Sequence, residues 1–154
     1  MNGRAGTGYT PADWGLAVIR VVVGVVFLMH GWQKLSGGIG GVEQFFSSLS
    51  VPAPGLMAPL VTFVEIIGGI ALIAGVLTRL AALLLVVDML VALFIFHLPN
   101  GFFVSPNGGY ELVLLLAAAC LGLALAGPGA LAIDNLLGDS VLGRFGGAPR
   151  QRSV

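Results

Sequence analysis

Glu65, Asp88 and Glu111 are carboxylic acids set in apolar sequence, and His30 and His97 lie near the ends of similar stretches. Only Arg20 and Lys34 stand among them as bases. A charged side chain in hydrocarbon costs roughly 2.5–3.5 kcal/mol on insertion scales. Each of these groups therefore needs a counter-ion, a proton or both. Arg20 and Asp88 are expected to form an inner, structural ion pair. Glu65 has no base expected at its own depth, so it is the acid expected to hold a proton. Histidine is the side chain that titrates near neutral pH, which makes Glu65 and His30 the candidates for proton handling. A protonatable carboxyl group beside imidazoles suits a quinone headgroup, whose reduction takes up protons as well as electrons. His30, Glu65, His97 and Glu111 form the expected neighbourhood of such a site. Two histidines on different helices are also the minimum for two axial haem ligands, but both lie at helix ends and nothing else favours haem. His30, His97 and Glu111 have metal-ligand types without a diagnostic spacing, and no metal site is expected. All of these residues also have a purely structural reading, as ion pairs and helix ends that fix the register of packed helices.

The elements that must carry them are membrane helices. Hydrophobic residues make up 57% of the 154-residue chain and charged residues 9%, against roughly 25% charged in soluble domains. So few charges cannot cover a soluble surface. No basic run points to nucleic acid. The lone Cys120 excludes an intrachain disulfide or a CxxC centre and reads as a small packing residue. The expected fold is an all-α bundle of four transmembrane helices. Residues 1–13 form a cytoplasmic N-terminal segment, 14–127 the transmembrane domain and 128–154 a cytoplasmic tail.

The first span runs from about Trp14 to Trp32, with Arg20, Gly24, Phe27, Gly31 and Lys34 on one helical face. Gly37, Gly38, Gly40 and Gly41 then break the helix. Val42 to Leu49 forms a short interfacial helix with Phe45, Phe46 and Leu49 on its apolar side. Pro52, Pro54 and Pro59 close this connection. The second span, Leu60 to Arg79, puts Glu65, Gly68, Leu72 and Gly75 on one face, where the glycines let a neighbouring helix come close. The third runs from about Leu80 to Leu98 and the fourth from about Tyr110 to Ala126, stopped by Gly127-Pro128-Gly129. On the fourth, Glu111, Ala118 and Gly122 mark the expected packing face.

Four spans return both termini to one side. Arg4, Arg79, Arg144, Arg150 and Arg152 lie on that side, with only Lys34 opposite. The positive-inside rule makes it the cytoplasmic one. Counting at about 1.5 Å per residue, Arg20 lies about 9 Å and Asp88 about 12 Å from the inner side. Glu65 lies about 7–8 Å from the outer side, beneath His30, Gln33, Lys34, His97 and Glu111.

At these residues the chain resembles the DoxX family of small bacterial membrane proteins. The likeness rests on Leu16 to Leu35, with Arg20, Gly24 and Phe27-x-x-His30-Gly31-x-x-Lys34-Leu35. It continues in Glu65-x-x-Gly68-Gly69, in Gly75-x-x-Thr78-Arg79, and in Glu111 with Gly127-Pro128-Gly129. The resemblance implies a redox-linked role in the bacterial inner membrane. The family is named after a subunit associated with an archaeal terminal quinol oxidase and thiosulfate–quinone chemistry. Some relatives are membrane partners of superoxide dismutase and a sulfurtransferase. The resemblance does not by itself make the chain an enzyme. The leading expectation is a membrane subunit of a redox system that handles quinone, with the bilayer and soluble redox enzymes or respiratory subunits as partners. The alternatives are a non-catalytic scaffold that anchors soluble redox enzymes and a small transporter. A homo-oligomer is left open.

Overall fold

The computed structural model describes residues 8–104, 106 and 108–137; they are helical, with no strand among them. The C-terminal tail expectation therefore lies largely outside the described residues. Helix α1 (Pro11–Ser36) starts on a capping box. Thr10 Oγ1 accepts the Asp13 N–H at 3.3 Å, and Asp13 Oδ2 accepts the Thr10 N–H at 2.9 Å. The helix thus begins three residues before the expected span. Trp14 and Trp32 stay exposed near its ends, where aromatic rings suit the membrane boundary.

Gly38 (φ 92°) turns the chain into α2 (Ile39–Ser48). Gly40 and Gly41 lie inside this helix, so only Gly37 and Gly38 interrupt, and the interfacial helix is longer than expected. Helix α3 (Pro54–Ala74) opens with Pro54 in its first turn and contains Pro59, instead of starting after it. Its end differs too. Gly75 takes the left-handed cap position (φ 68°), which a residue without Cβ adopts cheaply. Thr78 and Arg79 consequently begin α4 (Thr78–Ala92) instead of ending α3. α4 continues as a π turn, Leu93–His97, and a 3-10 turn, Leu98–Asn100. Helix α5 (Glu111–Ala126) and the short α6 (Ile133–Leu136) complete the fold.

The bundle is built from two closely packed pairs, α1 with α3 and α4 with α5. Glycines set the first crossing. A Cβ on Gly69 would lie 2.6 Å from the Leu28 nitrogen and 2.7 Å from the Gly24 oxygen. The expected α1 face is the buried one, with Arg20, Gly24, Phe27 and Gly31 inside. The α3 face is buried at Glu65, Gly68 and Leu72. The α5 face is not as expected. Ala118 and Gly122 are exposed, and Val113, Leu116, Ala117, Cys120 and Leu123 point inward. Phe27, Leu72, Leu85, Met89, Leu116 and Cys120 belong to the common core. Outside it, Val18, Ile67, Phe94 and Leu115 are exposed, a surface that suits lipid chains.

The apolar segments of 26, 21 and 23 residues at α1, α3 and Thr78–Asn100 are long enough to cross a membrane. The fourth, α5, has 16 residues and rises about 24 Å. The protein is a four-helix membrane bundle with the start of α1, the α3–α4 turn and the end of α5 gathered at one end.

Candidate functional site

Gly31 decides the geometry at the opposite end of the bundle. A Cβ there would lie 2.9 Å from the Ile66 nitrogen and 3.0 Å from the Thr62 oxygen, so α1 and α3 touch backbone to backbone. That approach carries Lys34, one turn later, onto Glu65. The Lys34 ammonium donates to Glu65 Oε2 in an ion pair. Lys34 is 28% exposed and Glu65 only 3%. Glu65 thus has a base within reach, contrary to the expectation. The sequence named Lys34 in the outer cluster, but the register across the long α1–α3 connection could not be counted from spacing.

The pair borders a cavity of about 690 Å³, lined by α1, α3, α4 and the start of α5, beneath α2 and Val104, Pro106, Gly108 and Gly109. His30, Lys34, Glu65, Asp88 and His97 all line it. Its apolar wall includes Phe27, Phe45, Phe46, Met89 and Phe96. Phe45 meets Phe96 edge to face at 4.9 Å between ring centres, which ties α2 to the end of α4. The π turn inserts an extra residue per turn there, and His97 falls beside the loop, with Nδ1 3.0 Å from the Gly109 oxygen. His30 is exposed at the rim. Three of the four residues expected around a quinone, His30, Glu65 and His97, therefore share one cavity.

Glu111 does not. Its Oε1 accepts the Val104 N–H at 2.8 Å, and its own N–H donates to the Phe102 oxygen at 2.9 Å. It fastens the loop before α5 and does not line the cavity, because the first turn of α5 spends its carboxylate on the backbone there.

The Arg20–Asp88 ion pair does not form. Arg20 Nη2 donates to the Ala130 and Leu131 oxygens, each at 3.2 Å. Gly75 makes the room, since a Cβ at that position would overlap the guanidinium. Arg20 is thereby drawn to the end of the bundle that carries the termini, while Asp88 opens toward the cavity. Asp88 accepts no hydrogen bond among the described residues, and its Oδ2 is buried without a partner. The polar fastening of the terminal end was not legible as such. Asp134 Oδ1 and Oδ2 accept the Leu77 and Thr78 N–H groups at 2.8 and 2.9 Å, capping α4. Arg79 Nη1 donates to the Ala124 and Leu125 oxygens at 2.9 and 3.1 Å, closing the C-terminus of α5. The signal was present in Gly75-x-x-Thr78-Arg79 and Gly127-Pro128-Gly129, whose partners here are one another's segments.

A family model described as DoxX matches residues 15–98. The chain is 36% identical over 126 residues to "Inner membrane protein YqjF" of Escherichia coli strain K12, covering 81% of this chain and 93% of that protein. It is 32% identical to "Putative oxidoreductase CatD" of Bacillus subtilis, over 78% of this chain and 84% of that one. "Inner membrane protein YphA" of Escherichia coli is 32% identical over 78% of this chain and 88% of its own length. No solved structure matches. The family match spans the helices that build the α1–α3 crossing, the Lys34–Glu65 pair and Asp88, and the chain belongs to the DoxX family of membrane proteins.

Proposed function

We propose that the cavity receives a quinone headgroup and that the chain is a membrane subunit of a redox system. One observation carries this reading: Lys34, Glu65, Asp88, His30 and His97 converge, with Gln33, on one largely apolar cavity inside a membrane bundle. Its volume of about 690 Å³ falls within the roughly 300–1,000 Å³ of small-molecule sites. The aromatic wall suits a substituted ring and the first part of a lipid tail. When bound, a quinone supplies a centre that takes up two electrons and two protons. The residues of this chain hold the ring and serve the protons. The proton between Lys34 and Glu65 is the one held closest, His30 at the exposed rim exchanges it with the surface, and His97 is braced by Gly109 on the far wall. Electrons come from a soluble redox enzyme or respiratory subunit that docks on the protein. The oxidoreductase in the printed name of the Bacillus relative favours a redox role. The site lies in the outer half of the inner membrane, with both termini cytoplasmic.

The test is made on the full chain purified in a mild detergent. Organic extraction is expected to yield bound quinone near one per chain. Glu65→Gln is expected to insert normally and to retain about a tenth or less of it. A protein that carries no quinone and takes up none when it is added would end this reading.

A further inference from the structure

Two faces of the α3–α4 hairpin look at one another across the cavity. On α3, Gly68, Glu65, Val61 and Met57 follow helical steps of three and four, and on α4 so do Leu85, Asp88, Val91 and Ile95. The two rows start in contact. A Cβ on Gly68 would lie 3.1 Å from the Leu85 side chain, and both residues are buried. Beyond that seal, away from the termini, the rows part. Glu65, Val61 and Met57 line the cavity from α3, and Asp88, Val91 and Ile95 line it from α4. α2 crosses the far end of the gap. Its Glu43 Oε1 lies 3.1 Å from where a Cβ on Gly55 would stand, at the start of α3, and its Phe45 meets Phe96 at the end of α4. Val91 and Ile95 line the cavity and are nevertheless 49% and 39% exposed. Phe27, Met89 and Leu116 line the same cavity and are buried.

Building on the quinone reading above, we propose that the gap between α3 and α4 is a side window to the bilayer, through which a long hydrocarbon chain on the ring leaves the cavity between Val61 and Val91. The window is framed by apolar side chains, and the ionisable groups lie behind it. That order matches a ligand with a polar head and a lipid-soluble tail. His30 and Gln33 line the cavity as exposed polar residues and serve the head from the aqueous side. A hydrocarbon chain gains little on moving from lipid to an apolar protein surface, so the window adds little affinity. Its part is steric: the chain stays in lipid while the ring sits among Lys34, Glu65 and Asp88.

The experiment measures binding of two probes to the full chain: a tail-less dimethoxy-methylbenzoquinone and the same ring bearing a decyl chain. One detergent concentration is used throughout, so partition into micelles cancels between variants. Val91→Trp and, separately, Val61→Trp fill the window from opposite sides. Each is expected to shift the ratio of the two affinities about tenfold against the decyl probe. A ratio that stays at the wild-type value in both variants overturns the inference and leaves the quinone site standing. Both variants are checked for a single elution peak at the wild-type position. A measurement on the wild-type chain stands beside them, and it decides if neither variant folds or the tail-less ring binds too weakly to measure. The decyl probe carries a photoactivated diazirine midway along its chain, and excess unmodified probe is used to displace it. Displaceable label is expected on the peptides that hold Val61 and Val91. Displaceable label confined to α1 or α5, or none from a probe that binds, overturns the inference. If neither probe binds the wild-type chain, the quinone reading fails and takes this inference with it.

Discussion

Lys34 and Glu65 have unequal claims on solvent, and that asymmetry makes their removal unequal. Lys34→Met strands a carboxylate that is 3% exposed, whereas Glu65→Gln frees an ammonium whose side chain is 28% exposed. A long Lys stem can carry its charge toward water; a short buried carboxylate cannot. Lys34→Met is expected to destabilise by about 3–5 kcal/mol, as for a buried pair broken from one side. Glu65→Gln is expected to cost only about 1 kcal/mol. Unfolding midpoints in detergent check the order, and equal losses would mean that Glu65 is hydrated through the cavity. At Arg20 the expected behaviour is independence from Asp88. Arg20→Leu removes two hydrogen bonds to backbone oxygens, so the double-mutant cycle with Asp88→Leu is expected to show coupling within about 0.5 kcal/mol. Coupling well above 1 kcal/mol would restore the ion pair that the sequence suggested.

Among the elements, the glycines separate into those that form contacts and those that only look as if they do. Gly69 has backbone of α1 at 2.6–2.7 Å from where a Cβ would stand, while Gly122 has nothing within 4 Å. Gly69→Ala is therefore expected to destabilise by about 1–3 kcal/mol through overpacking. Gly122→Ala is expected to be neutral or to stabilise by up to about 1 kcal/mol, as for a helix interior. Unfolding midpoints again decide, and similar effects at the two positions would contradict the packing described. This contrast shows what the sequence could convey. On α1, polar and small residues share a stripe with Phe27 amid Val and Leu, so the buried face was legible; Glu65, Gly68 and Leu72 marked α3 in the same way. α5 is apolar all round, and small residues on it marked neither side. Gly75 was read as a packing residue of α3 because a helical count passes through it, yet its left-handed backbone ends the helix. The cavity was half legible. His30, Glu65 and His97 could be placed by depth, but depth along a straight helix could not say that Arg20 would reach toward the termini or that Asp88 would face the open space.

For the whole molecule, the two ends differ in what their polar groups do. At the terminal end, Arg20, Arg79 and Asp134 are spent on backbone groups that close helix ends and turns. At the other end, carboxyl groups and imidazoles border a cavity. Basic residues are concentrated on the terminal side of the sequence, and the proposal accordingly places the terminal end in the cytoplasm. The orientation matters to the proposal, because it sets which aqueous phase exchanges protons through His30 and which face a soluble electron partner meets. Cys120 is 0% exposed and is expected to give no background to a membrane-impermeant maleimide. Gln44→Cys places a thiol on exposed α2, and Leu136→Cys places one at a residue that is 83% exposed on α6. In intact cells the first is expected to react and the second to react only after the membrane is opened. Reversed labelling would put the mouth of the cavity on the cytoplasmic side. Proton exchange through His30 would then run against the cytoplasm, and the docking face for an electron partner would have to be sought on α2.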